Sequence, residues 1–200
     1  MAEQGLEKQE VAGYNSCVGS RKSNMVIALL RSVSLLATLV ATIVMSLNKE
    51  TKTFVVATIG TNSIKATLTA KFQDNPANIF FVLANGLATL HNMLVLAAML
   101  FGKKIDPKGI RFMAISVLDI TNLAILSAGT TGAAFMAQLA KNGNSHAQWN
   151  QICDKFESFC SHGGGAILAS YIGLALFLIL VLISTIKRHH SIQNNTHASV

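Results

Sequence analysis

Apolar residues fall into four long runs separated by polar stretches. The runs extend from about Met25 to Leu47, Asn78 to Phe101, Ile110 to Leu139 and Gly163 to Ile186. Each exceeds the roughly 20 residues a helix needs to cross a hydrocarbon core. A segment in lipid must also satisfy its own backbone, which selects helix. The edges are sharp: Arg21-Lys22 precede the first run and Asn48-Lys49-Glu50 close it. Pro76 introduces the second, Gly102-Lys103-Lys104 stop it, and Lys187-Arg188 end the fourth. The third is longer than a crossing requires and is expected to tilt or protrude. The pattern predicts an all-α membrane protein, a four-helix transmembrane bundle with a small extracellular β-hairpin. Its parts are a tail over 1–24, a membrane domain over 25–186 with outer loops 48–77 and 140–162, and a tail over 187–200.

The hairpin comes from a different periodicity. Within 48–77, Thr53–Ile59 and Ile64–Phe72 are rich in β-formers, with Gly60-Thr61-Asn62-Ser63 as turn residues between them. An isolated hairpin is marginal in water, so this one is expected to lean on the second outer loop or on a neighbouring molecule. It either merely connects two spans or presents a surface to partners outside the cell.

Charge sets the orientation. Only 12% of the 200 residues are charged, about half the share of a soluble chain, against 51% hydrophobic. Arg21, Lys22, Lys103, Lys104, Lys108, Arg111, Lys187 and Arg188 gather on one side near span ends, with Asp106 the nearby acid. The other side dilutes its lysines with Glu50, Asp74, Asp154 and Glu157. By the positive-inside rule both termini and the 102–109 turn are cytoplasmic, and the first run lacks the features of a cleaved signal. The net charge of +7 is mostly this signal. No basic patch with stacking aromatics supports nucleic-acid binding. There is no phosphate loop, no HExxH and no paired carboxylate site, so neither enzyme chemistry nor a cofactor is expected.

Ionisable residues inside a span are costly and normally paired. Arg31 in the first span and Asp119 in the third lie ~9 and ~13.5 Å from the cytoplasmic ends at 1.5 Å per residue, a difference the long arginine can close. Asn92 on the second span lies at ~13.5 Å, with His91 beside it on a different face. Polar residues repeat at helical spacing: Arg31, Ser34, Thr38 and Thr42; Asn85, Thr89 and Asn92; Ser116, Asp119 and Asn122. Small residues Gly165, Ala169 and Gly173 on the fourth span, and Gly129 and Ala133 on the third, allow close helix approach. The polar stripes are either a structural ion pair with its hydrogen-bonding support or a proton or ion path.

Outer thiols usually pair, which predicts a Cys153–Cys160 disulfide. In a continuous helix their Cα atoms would stand ~10.5 Å apart, beyond bridging distance, so the chain must bend between them. Zinc binding by His146, Cys153, Cys160 and His162 is the alternative, at a spacing that fits no standard finger. Trp149, Phe156 and Phe159 are expected to pack this loop onto the hairpin or to sit at the lipid interface. Cys17, near the first span, is a candidate for S-palmitoylation or a plain thiol. The sequon at Asn194-Asn195-Thr196 falls on the cytoplasmic side and is expected to stay unglycosylated.

Four spans with both ends inside, Arg31 early in the first, Asp119 mid-third, and an outer loop reading Trp149-x3-Cys153-x6-Cys160 resemble the plant CASP-like proteins. These are relatives of the Casparian strip membrane domain proteins and, distantly, of MARVEL tetraspans. Phe80-Phe81-Val82-Leu83-Ala84-Asn85-Gly86 also resembles the family, and the likeness spans about residues 24–187. The resemblance implies a non-enzymatic plasma-membrane scaffold. It implies lateral homo- and hetero-oligomers with related members, contact with lipid, and extracellular or cell-wall partners engaged through the outer loops. Arg31 and Asp119 would then stabilise the bundle or its assembly. The first outer loop departs from the strip-forming members, lacking their Phe- and Gln-rich acidic stretch, and this argues for a different tissue or domain. A small channel or transporter using the polar stripes is the competing function.

Overall fold

The computed structural model describes residues 2–59, 62–101 and 110–197, with side chains placed over 24–58, 62–101 and 113–186. The chain folds as helix α1 (Ala2–Ser46), strands β1 (Lys49–Ile59) and β2 (Asn62–Lys71), a short 3-10 turn (Phe72–Asp74), and helices α2 (Pro76–Phe101), α3 (Ile110–Asn142) and α4 (Glu157–His197). The segments apolar enough to cross a membrane are Asn24–Ser46, Pro76–Phe101, Met113–Asn142 and Glu157–Ile186. Helices α1 and α4 therefore continue well beyond the spans that hydropathy marks. Once a helix leaves lipid its backbone pairing is unaffected, so a change to polar residues need not end it. The 102–109 turn, the Gly60-Thr61 part of the hairpin turn, and the side chains of Cys17 and of the 194–196 sequon lie outside the described residues.

Local chemistry explains the remaining boundaries. Asn75 caps α2, its Oδ1 accepting the Ala77 N–H at 2.9 Å, and Pro76 takes the first helical position, where no amide is needed. Gly143 ends α3 at φ +68° with its N–H on Leu139 O at 2.8 Å. A side chain there would strike Trp149 O, which lies 2.7 Å from where its Cβ would be.

The helices pack chiefly as a ring in chain order, each against its sequence neighbours and α4 closing onto α1. The partition of side chains is inverted relative to a soluble bundle. Leu29, Val33, Leu36, Val40 and Ile43 of α1 face outward, as do Leu83, Leu87, Leu90 and Leu94 of α2. The interior holds Arg31, Ser34, Thr38, Asn85, His91, Asn92, Asp119, Thr130 and Ser170 among small and aromatic residues. Such a molecule is stable where the outside is hydrocarbon. Two apolar clusters fill the rest of the core. One groups Ala41, Met45, Phe81, Ala133, Ala166 and Ile167 near the hairpin end, and the other groups Ala88, Leu126 and Phe177 at mid-depth.

Small residues set two close approaches. A Cβ on Gly129 would lie 2.8 Å from Ala84 Cβ, and one on Gly173 would lie 2.9 Å from Thr38 Cγ2. Ala133 is fully buried and Ala169 packs, partly buried, against the same cluster. Gly165 does not share this role: it is exposed, and a side chain there would meet nothing. Eight residues at ~100° each carry the 165–173 stripe some 80° around the helix. The buried face of α4 instead runs through Gly163, Ala166, Ser170, Gly173, Phe177, Leu180 and Ser184.

The strands pair antiparallel from Lys49↔Lys71 to Ile59↔Asn62, with a bulge between Val55 and Ala57. Hydroxyl pairs Thr51–Thr69 (3.0 Å) and Thr53–Thr67 (3.1 Å) line one face. The hairpin base leans on the start of α4: Phe54 meets Phe156 edge-to-face at 5.9 Å. Farther out, Val55, Val56 and Ile64 are exposed, as is Leu68 nearer the base.

Candidate functional site

Arg31 projects from α1 across the ring to Asp119 on α3. Its two terminal nitrogens reach the two carboxylate oxygens at 3.0 and 2.5 Å, a bidentate pair. Nη1 also donates to Asn92 Oδ1 at 3.2 Å. Asn92 donates to Ser34 Oγ at 3.5 Å, and Ser34 donates to the Gly173 carbonyl of α4 at 3.3 Å. One connected network therefore touches all four helices. The side chains of this layer are nearly dry, with Arg31 2% and Asp119 1% exposed.

His91 joins the same carboxylate, its Nε2 lying 2.7 Å from Asp119 Oδ1 and its ring tilted against Phe177 at 6.2 Å. His91 does leave the helix on a different face from Asn92, and both faces reach the same network. The signal was present in the spacing: Phe81, Ala84, Ala88, His91 and Val95 form one 3–4 stripe, and every member is buried. Adjacent helix positions diverge by ~100°, yet a long guanidinium and an imidazole can approach one carboxylate from two sides.

A second polar layer lies closer to the hairpin and crosses the other diagonal. Ser170 on α4 donates to Asn85 Oδ1 on α2 at 2.8 Å and stands 2.7 Å from Thr130 Oγ1 on α3. Asn85 returns its amide to Phe81 O at 2.9 Å. Between the layers Thr89 donates to Thr38 at 2.9 Å. Asn122 is buried but bonds back to Leu118 O rather than joining Asp119, and Thr42 likewise returns to Thr38 O. Ser170 has only Ala166, Ile167, Gly173 and Leu174 at helical spacing, and Thr130 lies eight residues beyond Asn122, so neither extends a polar stripe visible in the sequence.

At the hairpin end Cys153 and Cys160 are joined by a disulfide, with Cα atoms 5.6 Å apart. The chain bends over 153–156 before α4 begins at Glu157. Zinc coordination by these thiols is overturned, since bonded sulfurs offer no thiolate, and His162 Nδ1 instead contacts Ser158 O at 2.8 Å. Among the described residues no group of three or more His, Cys, Asp or Glu is placed to hold a metal ion. Phe156 is buried against the hairpin, whereas Trp149 is exposed and pairs through its backbone with Asn144.

Two hairpin-base residues grip α4. Asn48 donates its amide to Phe159 O at 2.9 Å, and Glu50 Oε2 accepts the Phe159 N–H at 2.7 Å. The amide at the helix N-terminus holds the Glu50 carboxyl below its ordinary value of 4.5, with Lys52 assisting at 3.0 Å.

Four apolar helices around a polar, charge-locked interior, capped by a hairpin and a disulfide-bridged loop, define a multi-pass membrane bundle. The Casparian strip membrane protein domain matches residues 20–176, and the chain belongs to that family. It is 55% identical to "CASP-like protein 1B2" of Populus trichocarpa, over 94% of this chain and 93% of that one. Identity is 51% to "CASP-like protein 1B2" of Vitis vinifera, covering 100% and 99%, and 54% to "CASP-like protein 1B1" of Ricinus communis, covering 90% and 89%. These names carry no enzymatic function. No solved structure matches.

Proposed function

We propose that this protein is a non-enzymatic plasma-membrane scaffold that associates laterally with itself and with related family members. Both termini face the cytoplasm, and the hairpin and disulfide-bridged loop engage extracellular or cell-wall partners. The observation that carries this reading is the connected network at Arg31, His91 and Asp119. The ionisable side chains of the interior are spent on one another and on holding four helices together, which leaves the outward surfaces for contact. Membership of a membrane-domain family supports the same reading.

Blue-native electrophoresis and photobleaching recovery of tagged protein in its own membrane test it. Oligomers and slow recovery are expected; rapid diffusion as a monomer would sink the scaffold. The competing channel or transporter reading draws on the Asp119–His91 contact, which places two ionisable side chains 2.7 Å apart inside the bundle. A selective flux through liposomes containing the purified wild type would establish it, and none is expected.

A further inference from the structure

Beneath the hairpin the bundle opens into a cavity of about 840 Å³ that neither polar layer uses. Its size falls within the range of small-molecule sites. Met45, Ile167 and Phe159 contribute apolar lining, and the Cys153–Cys160 bridge forms part of the wall. Such a bridged wall favours a preformed shape over one assembled on binding.

Three polar side chains give the cavity a chemical preference. Asn78 lines it from the buried face of α2 and is only 9% exposed. Its side-chain amide carries two N–H donors and so offers a polar contact to a molecule bound in the cavity. Lys71 and Lys141 stand on the rim, and neither has a carboxylate within ion-pairing distance among the described residues. Asp74, the acid in the lining, already accepts the Lys71 backbone N–H at 2.9 Å. The lining thus combines two cations and one acid with a mostly apolar body.

We propose that this cavity binds an amphiphilic anion. Its acidic head lies between Lys71 and Lys141 with the Asn78 amide donating to it, and its apolar body lies against Met45, Phe159 and Ile167. The head belongs either to a free single-chain acid or to an anionic bilayer lipid that inserts part of itself. The inference does not depend on lateral assembly.

Full-length protein in neutral phosphatidylcholine nanodiscs, titrated with oleate, tests it. Saturable oleate binding is expected, with oleyl alcohol weaker by about tenfold because it lacks the charge. The double variant Lys71→Gln, Lys141→Gln should lose about tenfold in oleate affinity, since two exposed ion contacts on the rim are removed. Gly164→Phe should weaken oleate binding: Gly164 lines the cavity and a Cβ there meets no atom within 4 Å, so an added ring has room beside the bound molecule without a clash at its root. Phosphatidylglycerol added to the disc will displace oleate if the site takes a lipid headgroup and leave it bound if the site takes a free acid. Absence of saturable binding, equal affinity for the alcohol, or full binding by either variant would overturn the proposal.

Discussion

At the level of Arg31, α1 and α3 are joined across the ring by two ions; nearer the hairpin, α2 and α4 are joined across it by an amide and a hydroxyl. Both links cross a diagonal that helix packing alone leaves open. Their cost of failure differs. Removing one ion strands the other in a dry interior, whereas removing one hydroxyl leaves a neutral group able to return to its own backbone. The charged layer is therefore an all-or-none lock, and the neutral layer a graded one. Hydrogen bonds between membrane helices contribute modestly because unpacked helices find other partners, while a buried ion pair punishes the loss of either half.

The largest break in that comparison is Asp119→Ala or Arg31→Ala. Each should destabilise the bundle by about 3–5 kcal/mol, read as a large loss of thermal stability in mild detergent. Removing both ions together, with Arg31→Met and Asp119→Leu, should recover most of this loss. If the double variant is as damaged as the singles, the layer is not a simple pair. Gly173→Leu comes next. It drives a side chain into Thr38 and should cost about 1–3 kcal/mol, whereas Gly165→Leu should be close to neutral because that position faces open space. Equal effects at the two glycines would contradict a helix rotation that buries Gly173 and exposes Gly165.

Ser170→Ala should cost about 1 kcal/mol, far less than either ionic deletion, and this ratio sharpens the contrast between layers. The smallest effect belongs to the hairpin base. The Glu50 pKa is depressed in the folded protein, so its contribution is complete above the ordinary value of 4.5 and fades as pH falls through the lower folded value. The protection factor of the Phe159 amide, with the intrinsic pH dependence of exchange divided out, should therefore fall under strongly acidic conditions and stay constant near neutrality. Glu50→Gln should remove that dependence.

Much of this architecture can be read from residue order. Run lengths located the four crossings, and counting depth along antiparallel helices paired Arg31 with Asp119. Hydropathy was blind to where helices end outside lipid, so the start of α4 at Glu157 lay hidden before the apolar run. His91 was visible as one member of an otherwise apolar stripe, but its neighbour Asn92 drew attention to the adjacent face. Asn48, Glu50 and Ser170 had no signature, because their roles depend on groups 111, 109 and 85 residues away. Gly165 shows the reverse error: a regular spacing suggested packing until the drift of the helix carried it outward.

The hairpin also has a mechanical meaning. Its two strands rise from the tops of α1 and α2, and Asn48 closes their base by accepting the Phe72 amide at 3.3 Å. A pull at the far end tensions both strands in the same direction, so the rungs between them carry little load. The force divides between two helices and then passes through both diagonals to the other two. A tether attached at that end would thus tug on the whole bundle as one body, and the hairpin would act as a shackle rather than a hinge.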